Sequence, residues 1–261
     1  MNYYTLITGA STGIGKALAA DFAASGDNLV LVARSREKLE ELAGELKRSH
    51  GVDVRVCSRD LGHPDGPSGV FEFCTGEGLV VDKLVNCAGF SVAGCFAGMP
   101  EEELLQMAMV NMVAVAGMSR LFLPAMIERR RGAVVNIASL AAFQGVPGMA
   151  YYSATKAFVV RLTEALAGEL RGSGVRIFAV CPGFIDNDQF YSRAGHDRSR
   201  IISPISSPQV VVRAVRRGLG NGSIHVLPTR FDRIMVFSQR FLPRTLVVWV
   251  AGLFAGAKEK I

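Results

Sequence analysis

Tyr152 and Lys156 stand four residues apart in the run Tyr152-Ser153-Ala154-Thr155-Lys156. In a helix that spacing puts both on one face, with Cβ atoms about 5–6 Å apart. A phenol beside an ammonium is an acid–base pair: the hydroxyl can give or take a proton at a reacting oxygen, and the positive charge favours the phenolate. A free tyrosine titrates near 10, so poising it near neutrality takes about 3 units, roughly 4 kcal/mol at 1.36 kcal/mol per unit. Lys156, helped by a cationic group on a bound ligand, is expected to lower the Tyr152 pKa in this way. Ser139 follows the apolar run Val134-Val135-Asn136-Ile137 and can hydrogen-bond the same reacting oxygen. Asn111 interrupts Met109-Val110-Asn111-Met112-Val113. If buried, its amide needs partners, and a water or the backbone near Lys156 would serve. Each of the four alone fits an ordinary structural residue; together they form a candidate catalytic set.

A second group of residues suits a phosphate. Thr8-Gly9-Ala10-Ser11-Thr12-Gly13-Ile14-Gly15 has the spacing G-x-x-x-G-x-G, between an expected first strand and first helix. Glycines permit the turn and let the backbone approach a pyrophosphate, whose charge is favoured by the free N–H groups at the helix N-terminus. Ser11 and Thr12 add hydroxyl donors. At the end of the expected second strand, Val32-Ala33-Arg34-Ser35-Arg36 holds no acid for the two ribose hydroxyls of NAD. Arg34 can instead pair with a 2′-phosphate, so NADP(H) is the expected dinucleotide in preference to NAD(H).

These residues must be positioned by a scaffold, and the chain alternates short apolar runs with amphipathic stretches. Strands are expected at Tyr3–Thr8, Leu29–Ala33, Val52–Cys57, Lys83–Asn86, Ala133–Ile137, Val175–Val180 and Ile224–Leu227. Helices are expected over Gly13–Ser25, Glu37–His50, Gln106–Leu121 and about Ala150–Leu170. This is the pattern of βαβ units. The fold class is α/β: a three-layer, doubly wound parallel sheet of about seven strands, with helices on both faces and a helical C-terminal extension. One domain is expected over 1–261, with a core over 1–228, a loop-like substrate lid over 183–208 and an apolar, basic extension over 229–261. Ligands in such folds sit at the C-terminal ends of the strands, where the lid would lie.

Of the 261 residues, 49% are hydrophobic and 20% charged, which excludes a disordered chain. Five scattered cysteines without a C-x-x-C pair point to reduced thiols rather than a disulfide scaffold, and no metal site is expected. No secretory leader is expected, and the apolar stretch Leu246–Ala257 is too short to cross a bilayer. The net charge of +6 divides unevenly: Phe190–Ile261 holds 12 Lys/Arg against 3 Asp/Glu. The extension is open to three readings: a cover on the substrate cleft, a subunit contact, or a peripheral membrane contact. No motif suggests a nucleic-acid partner. A cytoplasmic protein, peripherally membrane-associated if the tail reads lipid, is the expectation.

In combination these motifs make the sequence resemble the short-chain dehydrogenase/reductase family, in its compact Rossmann-fold branch. The resemblance covers roughly residues 1–228. Besides the Gly9-to-Gly15 turn it rests on Asp60-Leu61 after the third strand, Asn86-Cys87-Ala88-Gly89 after the fourth, the tetrad Asn111, Ser139, Tyr152 and Lys156, and Pro182-Gly183. It implies a hydride transfer between a nicotinamide and a carbonyl or alcohol carbon, with Tyr152 as general acid/base and Ser139 orienting the oxygen. Lys156 would bind the nicotinamide ribose, and Asn111 would hold a relay water. Asp60 and Leu61 would contact the adenine, Asn86, Ala88 and Gly89 would flank the cofactor, and Ile185 would meet the carboxamide. Asn187 stands where the family often has threonine. A homodimer or homotetramer is also implied, built on the helices of Asn111 and Tyr152.

Expected pocket walls are Phe90, Val92, Phe96, Leu140, Phe143 and Val146, with Met149 and the lid residues Phe184, Phe190 and Tyr191. Of these, Phe90, Phe143, Met149, Phe184 and Phe190 are the expected substrate contacts, together with Ser139. Their apolar character suits a lipophilic ketone, aldehyde or secondary alcohol. An extended-branch epimerase would show G-x-x-G-x-x-G and a larger substrate domain, and neither is present. The alternative from another class is a non-catalytic NADP(H)-binding regulator or a membrane-associated scaffold.

Overall fold

The structure is a computed structural model and describes residues 2–195 and 198–255, the side chains of 188–190 excepted. Seven strands form one parallel sheet in the order β3-β2-β1-β4-β5-β6-β7: β1 Tyr3–Thr8, β2 Asn28–Ala33, β3 Val54–Ser58, β4 Val80–Asn86, β5 Gly132–Ile137, β6 Val175–Val180 and β7 His225–Val226. The order reverses between β1 and β4, the switch point at which doubly wound sheets bind ligands.

Strand side chains alternate between two apolar layers, as the pleat requires. On one face Ile7, Leu31, Val85, Val135 and Phe178 pack with α1 (Gly13–Ala24), α2 (Arg36–His50) and α8 (Gln209–Gly220). On the other, Leu6, Val32, Leu84 and Val134 pack with α3 (Gly66–Gly76) and α5 (Ala114–Glu128). Because both faces are covered, the central strands read as largely apolar runs in the sequence rather than as strict alternations.

The helix carrying Asn111 is continuous with its neighbours: α4 (Glu101–Ala108) passes through a wider π-type turn, Met109–Val113, into α5. Such turns insert one extra residue and re-aim side chains, often at functional sites. The stretch Glu101–Glu128 is long and apolar enough to cross a membrane, yet Met107, Met118, Phe122 and Met126 are buried in the protein's own core.

After β6 the chain departs from the expected loop. Residues 188–194 form α7 (Asp188–Ala194), followed by a 3₁₀ turn at Arg198–Arg200. Backbone pairing of Asp186 N to Ser206 O (2.8 Å) and Ser206 N to Phe184 O (2.9 Å) ties the two ends of the excursion together. The stretch 183–208 therefore carries a short helix where the Ser- and Arg-rich composition suggested irregular backbone. Beyond β7, two further helices follow: α9 (Arg230–Ser238) and α10 (Arg244–Ala255). A capping box starts α9, in which Asp232 N donates to Thr229 Oγ1 and Thr229 N to Asp232 Oδ2, both at 3.0 Å.

Candidate active site

Tyr152 and Lys156 lie on the first two turns of α6 (Ala150–Glu169), both buried. Lys156 Nζ stands 5.7 Å from the centre of the Tyr152 ring and donates to the Ile137 carbonyl at 3.0 Å. Ser139, extended past the end of β5, accepts from Ala141 N at 3.1 Å, so its hydroxyl is held at the start of a short 3₁₀ turn. It also hydrogen-bonds Tyr152. Asn111 is fully buried: its amide donates to Phe90 O (2.9 Å) and Thr155 Oγ1 (3.1 Å) and accepts from Phe90 N (3.2 Å). Its Oδ1 and Lys156 Nζ each lie 3.2 Å from where a Cβ on Gly89 would stand, so a glycine there lets both groups approach one point.

In the protein alone, burial pushes the Tyr152 phenol up to about 12, with the Ser139 hydrogen bond acting against it; the lowering expected from Lys156 together with a bound cationic ring concerns the loaded site. Burial also lowers Lys156 from 10.5 to about 8, opposed by the thiols Cys87 and Cys181. In the protein alone, Tyr152 is therefore held as a proton donor.

The tetrad opens on a cavity of about 1020 Å³ that runs along the C-terminal edge of the sheet. At one end it is lined by Gly9, Ser11, Thr12, Ile14 and Gly15, then by Arg34, Asp60, Leu61, Ala88 and Gly89; nearer the tetrad by Pro182, Gly183 and Ile185. A Cβ on Gly15 would stand 2.1 Å from the Gly9 carbonyl oxygen, so only glycine allows this turn to close. Gly13 has a left-handed φ of +52° and does not line the cavity; the Asn187 amide occupies the space a Cβ there would need. Asn86 is likewise set back, its amide donating to Asn136 Oδ1 on β5 (2.9 Å) and to Ser119 Oγ on α5 (3.3 Å). Arg34 is exposed on the rim, and Lys38 and Arg59, which the sequence reading passed over, join it there. A glycine cradle at a helix N-terminus, an acid at the far rim and a cationic rim without a competing carboxylate on β2 fit a dinucleotide bearing a 2′-phosphate.

At the other end the walls are mostly apolar. Phe90, Leu140, Val146, Met149 and Phe184 line the cavity as expected. Phe143 does not: its ring meets His225 edge-on at 5.8 Å, and it packs near Val159 and Ala179 instead. Val92, Phe96 and Tyr191 also stand outside the lining, Phe96 stacking on Tyr151 and Tyr191 on Phe184. The Phe190 side chain lies outside the described residues. Further wall comes from the C-terminal helices, with Phe231 and Met235 of α9 and Val247, Val250, Ala251 and Phe254 of α10, while Gln144, Arg193, Ser238 and Gln239 add polar groups to the lining. Hydrogen bonds fasten the C-terminal segment to the site: Gln239 Nε2 donates to Gln144 Oε1 at 2.7 Å, the Arg244 guanidinium to Phe143 O at 3.1 Å, and Ile202 N to Phe254 O at 3.3 Å.

Known proteins agree with this geometry. The family model described as short chain dehydrogenase matches residues 4–196. The chain belongs to the short-chain dehydrogenase family. Among curated relatives, the very-long-chain 3-oxoacyl-CoA reductase of Anas platyrhynchos is 34% identical over 188 residues, 70% of this chain and 59% of that protein. The chain thus spans about three fifths of that relative's length. The ketoacyl reductase HetN of Nostoc sp. is 33% identical over 227 residues, 85% of this chain and 77% of the relative. Among solved structures, a short-chain dehydrogenase from Sphingobium yanoikuyae in complex with NADPH superposes with a TM-score of 0.81 at 31% identity, covering 92% of this chain and 95% of that one. A 7β-hydroxysteroid dehydrogenase structure gives a TM-score of 0.85 at 27% identity, covering 95% and 96%.

Proposed function

We propose that this chain is an NADPH-dependent reductase of lipophilic ketones, with a long-chain 3-oxoacyl group as the best-fitting substrate class. The observation that carries the reading is the continuity of one cavity: a dinucleotide cradle with a cationic rim at one end, an apolar tunnel walled by α9 and α10 at the other, and Tyr152 and Ser139 between them. Relatives named as 3-oxoacyl-CoA and ketoacyl reductases, and a neighbour holding NADPH, point the same way.

A bound nicotinamide supplies the hydride. Ser139 donates to the substrate carbonyl oxygen and orients it, and Tyr152 delivers the proton to the alkoxide that forms there. Lys156, anchored on Ile137 O, holds the nicotinamide ribose and offers its charge to the phenolate left behind. Asn111, whose Oδ1 meets Lys156 near Gly89, holds a water that returns a proton towards Lys156. Arg34 reads the 2′-phosphate. A homodimer would use the face around α4 and α6, where Leu105, Val113 and Phe158 are exposed.

The test is NADPH oxidation with a series of 3-oxoacyl thioesters of rising chain length. The proposal expects kcat/KM to climb with chain length, since each buried methylene contributes about 0.8 kcal/mol, roughly fourfold. A rate indifferent to chain length would replace the acyl class with a compact ketone. No turnover of any ketone despite tight NADPH binding would favour the non-catalytic regulator or scaffold.

A further inference from the structure

The two C-terminal helices have a second face that the cavity does not use. While Val247, Val250, Ala251 and Phe254 of α10 point into the cavity, Leu246, Trp249 and Leu253 point away from it at helical spacing. On α9 and the turn that follows, Ile234, Phe237 and Phe241 do the same, Phe241 at 72% and Trp249 at 62% exposure. Each of the two helices thus carries an apolar ridge on the outside of the cavity wall, beyond the scattered exposure normal for a soluble surface.

Charge tells what covers these ridges. Arg230, Arg233, Arg240 and Arg244 are exposed around them. The one acid between Thr229 and Ala255 is Asp232, which is buried and committed to the cap of α9. A second copy seated symmetrically on this face would set four guanidinium groups against four more with no carboxylate from either segment between them. A surface of lipid phosphates offers the opposite charge and an apolar layer beneath it. Arg240, 5.7 Å from the Phe237 ring, has the arrangement such a boundary favours: an aromatic body to bury and a cation to leave at the headgroups.

We propose that the outer face of α9 and α10 docks on an anionic phospholipid surface, which places the apolar end of the cavity at the membrane boundary. Docking stands independently of the catalytic reading; entry of a lipophilic substrate directly from the bilayer rests on it.

Trp249 is the only tryptophan in the chain, so its emission reports on the α10 ridge without a label. The intact protein is titrated with phosphatidylcholine vesicles, with and without phosphatidylglycerol, some carrying brominated acyl chains. Docking predicts a shift of Trp249 emission to shorter wavelength on the anionic vesicles, quenching by the brominated chains, and weakening by salt. Phe241→Glu should lower vesicle affinity at least about tenfold while leaving NADPH binding as in the wild type, which shows that the variant is folded. Unchanged emission on anionic vesicles would overturn the proposal, as would equal affinity for neutral ones. An emission shift that tracks protein concentration without lipid, together with a doubled sedimentation mass lost in Phe241→Glu, would assign the face to a second copy instead.

Discussion

Tyr152 and Lys156 are displaced in opposite directions by the same cause, burial, the phenol up to about 12 and the ammonium down to about 8. Over the neutral range the phenol keeps its proton while the ammonium begins to lose its own near pH 8. The free-enzyme profile of kcat/KM for reduction should therefore fall as pH rises through about 8, and the residual activity of Lys156→Met should lack that limb; a wild-type profile flat through this range would show that Lys156 does not act as a cation. Arg34→Ala should weaken NADPH about tenfold, as loss of one charge-assisted contact does, and leave NADH nearly unchanged. Equal losses for both would mean that Arg34 does not read the 2′-phosphate. Asn111 stood out because its amide interrupts an apolar run, Tyr152 and Lys156 because they stand four apart on one helix face, and Ser139 because it follows β5. The upward shift of Tyr152 in the protein alone was not legible, since spacing reveals the neighbouring charge but not the depth of burial. Asn86 and Gly13 were expected at the cofactor, but sequence adjacency to Ala88 and Ile14 does not tell which residue of a turn faces outward.

At the scale of elements, seven strands were readable because most are apolar runs with few interruptions, with ends within three residues of those observed. Several helices escaped, α3 and α7 among them. Gly66–Gly76 holds glycines and a proline near its start, and its helix is stabilised by packing Val70 and Cys74 against the sheet rather than by propensity. Helix α7 sits in a Ser- and Arg-rich stretch with no apolar period. The tail is the more instructive case, since its helices carry apolar side chains on both faces and only the fold shows which ones line the cavity. Phe254, in ring contact with Phe231 at 6.0 Å, should matter for the far end of the substrate. Phe254→Ala is expected to raise KM for a long-chain ketone about tenfold with kcat and NADPH affinity little changed; unaltered KM would remove α10 from the substrate wall. Thr229→Ala should lower the unfolding free energy by about 1 kcal/mol by removing the cap of α9, measured by denaturant unfolding. No loss would mean that packing alone holds the helix.

The whole molecule also carries a pH signature. Burial raises Cys57 to about 11 and Cys74, Cys87 and Cys181 to about 12, from a thiol value of 9.0. Below pH 9 these thiols are neutral folded or unfolded and contribute nothing to pH dependence; between 9 and about 12 the unfolded chain ionises them first, so stability falls. Lys156 acts the other way between about 8 and 10.5, where the unfolded chain holds the extra proton. The four thiols, joined above pH 10 by the Tyr152 phenol, oppose Lys156 alone, and the melting temperature should drop as pH rises above 9, less steeply in Cys74→Ala. A melting temperature constant over that range would contradict this balance. At this same scale the sheet's switch point, the glycine cradle, the tetrad and the tail enclose one continuous cavity, in which the proposed reaction couples NADPH to a ketone through Tyr152. The most direct measurement is NADPH oxidation with a long-chain 3-oxoacyl substrate by wild type and Tyr152→Phe, alongside NADPH titration of both. The account predicts a loss of at least about 100-fold in turnover with cofactor affinity preserved; equal turnover by the two proteins would contradict it.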